Sequence, residues 1–127
     1  MPDVDDFDLR ISVAEVTESG PFSTFPGYTR WSLLLDGGPI SLGRVGLVND
    51  NFLVLDGGQE VVAEVGATTH LLNILARTPI AVGIGDSKEP VDIAFALEDT
   101  ADLKKWHLHL FEEPAVVIGP LVWIRRA

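Results

Sequence analysis

The chain has 127 residues, of which 46% are hydrophobic and 22% charged, and its formal net charge is −10. Such a length and composition are typical of a globular protein, and we expect one domain over residues 1–127. The acidic balance repels phosphate backbones, so nucleic acid is not an expected partner. The absence of cysteine excludes disulfides, thiolate metal sites and cysteine nucleophiles.

The beginning of the chain is acidic and does not look like an export signal. The segment Met1–Asp6 has no basic region and no apolar stretch behind it. Uncharged apolar runs elsewhere are too short to span a bilayer, so we expect no membrane partner. A cytoplasmic location is the expectation.

Many short strands with turn residues between them are predicted along the chain. Apolar and polar residues alternate from Phe7 to Ala14, which indicates a strand with one buried face. Further strands are expected over residues 28–35, 40–42, 52–55, 61–65, 70–76, 80–84, 91–97, 105–111, 115–118 and 122–125. Residues 98–105 have room for one helical turn, but no segment keeps an apolar stripe at helical spacing. The sequence therefore predicts an all-β fold, either a barrel or a double-sheet sandwich.

Two Asp-Gly-Gly sequences, beginning at Asp36 and Asp56, have the chemistry of hairpin turns. The first lies between the predicted strands 28–35 and 40–42, and the second between 52–55 and 61–65. The sequence thus predicts two hairpins.

An aromatic-rich turn precedes a single arginine. Residues 19–30 read Ser-Gly-Pro-Phe-Ser-Thr-Phe-Pro-Gly-Tyr-Thr-Arg, and Arg30 begins a strongly apolar strand. In that strand Arg30 and Ser32 share one face, whereas Trp31 lies on the other, core face. A sheltered guanidinium needs a partner that offsets its desolvation. Either an acidic side chain of the protein or an anionic ligand can be that partner.

This turn, together with Leu-Arg-Ile-Ser-Val-Ala-Glu-Val at residues 9–16, resembles the HutD/Ves family. These cupin-like proteins are associated with histidine utilisation and environmental stress. The resemblance implies a cupin-like antiparallel barrel, in which Arg30 lies in a pocket. It also implies non-catalytic binding of a small anionic carboxylate metabolite, without a cofactor, and a role in regulating histidine utilisation or a stress response. Ser23 and Phe25 match the same motif and are ligand-binding candidates, the first through a hydrogen bond and the second by stiffening the turn.

Two later segments are similar to the family more loosely. Asp56-Gly57-Gly58 matches its Phe-Asp-Gly turn, and residues 71–77 match its Asp-Leu-Asn-x-Met-x-Arg strand. Asn73 is the remaining ligand candidate in that strand, because Leu71 stands where the family usually has aspartate. The family's opening tryptophan- and glycine-rich stretch has no counterpart, so we expect a short, diverged member.

A second constellation supports a different hypothesis. His107 and His109 lie two residues apart, so both imidazoles would share one face of a strand, and Glu113 follows as a third ligand. This half-motif predicts, as the alternative, a metal-dependent cupin enzyme such as an isomerase or dioxygenase. A third hypothesis is a purely structural or interaction role, in which exposed strand edges and Trp123 near the carboxyl end would favour self-association. A homodimer is compatible with all three hypotheses.

Overall fold

The computed structural model describes residues 4–5 and 8–126. These residues form thirteen β-strands and no helix. The strands are β1 (Val4–Asp5), β2 (Leu9–Val16), β3 (Gly20–Pro21), β4 (Thr29–Asp36), β5 (Ile40–Leu42), β6 (Val45–Gly46), β7 (Leu53–Asp56), β8 (Val62–Val65), β9 (Thr69–Ala76), β10 (Ile80–Ile84), β11 (Val91–Ala96), β12 (Leu108–Ala115) and β13 (Leu121–Arg126). The all-β prediction is confirmed. The strands divide into two compact units, one over Val4–Arg77 and one that includes Thr78–Arg126.

The first unit contains two antiparallel sheets. One has the strand order β1-β2-β9-β4-β7 and the other the order β3-β8-β5-β6. The central strand β9 is buried from Leu71 to Ala76, since neighbouring strands cover its edges and both of its faces are packed. This explains why its sequence is an almost continuous apolar run instead of an alternating one.

The two sheets of this unit pack face to face around aliphatic side chains. Leu71 of β9 contacts a cluster formed by Ile40, Leu42 and Ala63 of the second sheet, and all four are at most 3% exposed. Burial of these side chains supplies most of the driving force for holding the sheets together. The core covers only part of the inner face of the first sheet.

Both predicted hairpins are wrong. The strands β4 and β5, on either side of the first Asp-Gly-Gly, belong to different sheets, and so do β7 and β8 around the second. Turn residues encode a local change of direction, whereas the pairing partner of a strand depends on distant segments. The loop after β4 uses positive φ angles at Gly37 and Gly38 (81° and 98°), and the Gly38 amide donates to Thr69 Oγ1 at 3.0 Å.

The second unit contains one antiparallel sheet with the strand order β10-β13-β11-β12. Its inner cluster is formed by Val91, Ala94, Val117 and Leu121. The strand expected over 105–111 is the edge strand β12, which begins at Leu108 and continues through Pro114 to Ala115, and residues 116–118 of the strand expected over 115–118 lie outside any strand. Proline is tolerated there because an edge strand has backbone amides that need no partner strand. Residues 98–105 form turns and bends, so the expected helical turn is absent from them.

A groove around Arg30 as the candidate functional site

The register of three neighbouring strands brings polar side chains together on the inner face of the first sheet. Arg10 of β2 and Arg30 of β4 both lie opposite Leu75 of β9, one on each side. In the next row of this face, Ser12 and Ser32 lie opposite Asn73. Because side chains alternate along each strand, these two rows point to the same side.

A groove of about 430 Å³ runs over these rows. It lies within the first unit, where the aliphatic core ends. Its lining consists of Arg10, Ser12, Ala14, Glu15, Val16, Thr17, Glu18, Pro21, Phe22, Ser23, Phe25, Arg30, Asn73 and Leu75. The groove thus combines an apolar wall with cationic, hydroxyl, amide and carboxylate groups.

Arg30 is the most deeply buried charged side chain among the described residues, with 5% of its surface exposed. Its Nη2 donates to the Ser23 carbonyl oxygen at 2.6 Å, and its Cζ lies 5.3 Å from the Phe22 ring centroid and 5.7 Å from that of Phe25. Within residues 4–5 and 8–126 no carboxylate pairs with it. Desolvation by burial lowers the pKa of Arg30 from its ordinary value. The groove therefore contains a buried cation whose contacts are a carbonyl oxygen and two aromatic faces.

The aromatic turn that holds Arg30 is fastened by the second Asp-Gly-Gly sequence. The Phe25 amide donates to the Gly57 carbonyl oxygen at 2.6 Å, and the Gly57 amide donates to the Tyr28 carbonyl oxygen at 2.7 Å. A Cβ atom on Gly57 would lie 2.8 Å from both the Phe25 and the Tyr28 carbonyl oxygens. Only glycine fits this close approach of two backbones. The sequence Asp56-Gly57-Gly58 is thus a clasp for the turn.

A buried amide lies beside Arg30. Asn73 is 9% exposed, and the Ser32 hydroxyl donates to its Oδ1 at 2.7 Å. The described part of the chain supplies no acceptor for the amide nitrogen of Asn73, and this side chain lines the groove. Its two N–H donors are therefore available to a bound molecule.

All four residues predicted to bind a ligand line this groove. Arg30, Phe25 and Asn73 contribute side chains, whereas Ser23 contacts Arg30 through its backbone carbonyl. Sequence reasoning missed Arg10, whose Cζ lies 5.5 Å from the Phe25 ring centroid. The alternation in β2 was the available signal, because it places Arg10 and Ser12 on the polar face of that strand.

The alternative metal ligands do not converge. His109 and Glu113 are exposed on β12, His107 is exposed just before it, and the His109 ring packs against Phe111 with 4.5 Å between centroids. In the part of the chain that the structure describes, no three His, Asp or Glu side chains form a group able to hold a metal ion. Geometry thus gives the metal hypothesis no support.

Two solved structures share the all-β fold of this protein. HutD from Pseudomonas fluorescens SBW25 aligns with a TM-score of 0.71 and 19% identity, over 93% of this chain and 78% of that one. A conserved protein of unknown function from Pseudomonas aeruginosa PAO1 aligns with a TM-score of 0.72 and 22% identity, over 97% and 76%. These likenesses confirm the predicted fold class.

The family model for HutD matches residues 1–113, so the chain belongs to the HutD family. This confirms the resemblance found in the sequence. A search of curated proteins gives no significant match. No helix in residues 4–5 and 8–126 has the length and apolar character needed to cross a membrane.

Proposed function

We propose that the groove around Arg30 binds a small carboxylate metabolite and that the protein acts as a binding protein. One observation carries this proposal: Arg30 is a buried cation without a carboxylate partner among the described residues. Burial of a charge costs free energy unless a partner offsets the lost hydration. A carboxylate ligand would supply that partner.

The surroundings of Arg30 suit such a ligand. One carboxylate oxygen can accept from the guanidinium of Arg30 and the other from the Asn73 amide, which has free N–H donors facing the groove. Phe22 and Leu75 contribute apolar surface to the groove. Because water is partly excluded there, charge-assisted hydrogen bonds are stronger than on an open surface.

The remaining groove residues would mainly hold the Arg30 guanidinium in position and attract the ligand to the groove. The Ser23 carbonyl and the Phe25 ring hold the guanidinium of Arg30 in place. Arg10 lies at the exposed end of the same row and adds a second positive charge near the ligand. On a protein with a net charge of −10, this local positive potential would attract an anion to one end of the groove.

The family suggests a biological role for this binding. Because the family is associated with histidine utilisation, we propose that the ligand is a carboxylate formed in histidine breakdown. Its binding would report the level of that metabolite in the cytoplasm and so regulate the pathway. A part in stress response is a further proposal on the same basis.

Isothermal titration calorimetry with Arg30→Met tests the binding role. Formate is the simplest probe, since the structure of HutD from Pseudomonas fluorescens is described as a formate condition. Acetate, glutarate and the carboxylates of histidine breakdown complete the panel. A charge-assisted hydrogen bond contributes about 1.5–3 kcal/mol, so the variant should bind at least about tenfold more weakly.

Arg44→Met is the matched control, because it removes the same charge from an exposed residue outside the groove. It should bind within about twofold of the wild type. Arg30→Lys keeps the charge but loses the planar guanidinium, so its carboxylate affinity should lie between those of Arg30→Met and Arg44→Met. The proposal is wrong if every carboxylate binds Arg30→Met and wild type equally, or if none binds the folded wild-type protein.

A further inference from the structure

The groove around Arg30 has opposite charges at its two ends. Arg10 and Arg30 share one row of the sheet at the first end. Strand β2 continues along the groove to Val16, six residues from Arg10, which corresponds to about 20 Å in an extended strand. Beyond Val16 the lining continues with Thr17 and Glu18. A ligand lying along the groove would thus have arginines at one end and a carboxylate at the other.

Of the two glutamates in the lining, Glu18 is the one available to a ligand. The Glu15 carboxylate already has a partner, because its Oε2 lies 3.7 Å from His70 Nε2. Glu18 makes no hydrogen bond or ion pair within the described ranges. Its position is nevertheless defined, since the hydroxyl of the next residue, Ser19, accepts from the Val65 amide at 3.0 Å.

Charge complementarity then restricts the kind of carboxylate. A dicarboxylate would place its second negative charge toward Glu18, on a protein whose net charge is already −10. A molecule with a protonated amine at its far end avoids both repulsions and gains an ion pair. We propose, on the basis of the function proposed above, that the natural ligand is a zwitterion with its carboxylate at Arg30 and its ammonium group near Glu18.

Two matched series of ligands test this inference by calorimetry. One series consists of ω-amino carboxylic acids from 4-aminobutyrate to 12-aminododecanoate, and the other of dicarboxylates of equal length, from succinate to dodecanedioate, so that the longest members approach the length of the groove. Glu18 is exposed, so its ion pair is only moderately strong. At the length that spans the groove, the amino acid should therefore bind about three- to tenfold more tightly than the dicarboxylate.

The variant Glu18→Gln should remove this preference. Glu60→Gln is the control, because it makes the same change of net charge at an exposed residue outside the groove and should keep the preference. If both series bind wild type equally, or if Glu18→Gln keeps the preference, the zwitterion inference is wrong while carboxylate binding stands. If neither series nor acetate binds, both proposals are wrong.

Discussion

Replacing Gly57 with alanine should destabilise the protein and weaken ligand binding at the same time. The added Cβ would lie 2.8 Å from the carbonyl oxygens of Phe25 and Tyr28, closer than a real Cβ atom approaches an oxygen. The backbone of the turn would have to move away from Gly57 by at least about 0.5 Å, because packed carbon and oxygen atoms are normally separated by at least their van der Waals contact distance. The shift would stretch the two hydrogen bonds that join Gly57 to this turn.

The cost follows from those two bonds. Each contributes about 0.5–1.5 kcal/mol net, and alanine regains about 0.4–1 kcal/mol by restricting the unfolded chain. The free energy of unfolding should therefore fall by about 1–2 kcal/mol, which lowers Tm by about 3–10 °C in a protein of this size. Because Phe25 packs against Arg30, carboxylate affinity should fall as well.

Thermal unfolding followed by circular dichroism measures the first effect and calorimetry the second. Gly46→Ala is the control: nothing lies within 4 Å of its added Cβ, and its φ is not positive. If Gly57→Ala and Gly46→Ala have the same Tm, the predicted clash at Gly57 is wrong. A lower Tm with unchanged carboxylate affinity would show that the clasp stabilises the fold without positioning the site.

Two further predictions concern residues outside the groove. Thr69 is fully buried, and its Oγ1 accepts from the Gly38 amide and donates to the Ala67 carbonyl oxygen, so Thr69→Val should cost about 1–3 kcal/mol in urea unfolding. Thr68, the exposed neighbouring residue, provides the control variant Thr68→Val. Equal urea midpoints for Thr68→Val and Thr69→Val would contradict the role of the Thr69 hydroxyl. In the second unit a Cβ on Gly83 would lie 2.2 Å from the Trp123 ring, so Gly83→Ala should cost about 1–3 kcal/mol and alter tryptophan fluorescence. Adding Trp123→Leu to Gly83→Ala should recover part of the lost stability. If Gly83→Ala alone has the Tm of the wild type, the Trp123 ring can accommodate the added methyl group and the prediction is wrong.

The sequence predicted most of the strands because their signals are local. Alternation in β2 and the apolar run of β9 identified both strands within about two residues. The sheet partners were harder, since the Asp-Gly-Gly sequences encode turns and cannot specify that β4 and β5 enter different sheets. Pairing is decided by contacts between segments far apart in the chain.

The candidate site was predicted through its motif and not through its geometry. The aromatic turn identified Arg30, and the resemblance added Phe25 and Asn73. What the sequence could not provide is the register of β2, β9 and β4, which places Arg10 in the same row as Arg30. The lack of a carboxylate partner for Arg30 among the described residues also emerges only in three dimensions, because nineteen acidic residues are available in the sequence.

The hydrogen bond between Ser32 and Asn73 also bears on how the first sheet assembles. If β9 slipped by one residue, Asn73 would move to the opposite face, where Leu72 and Ile74 now lie buried. Its amide would then be surrounded by aliphatic side chains, at a cost of about 1–3 kcal/mol for each unpaired group. In a strand as uniformly apolar as β9, hydrophobic contacts alone distinguish poorly between registers that differ by one residue. The Asn73 amide in the middle of β9 therefore disfavours the misaligned register when the sheet forms.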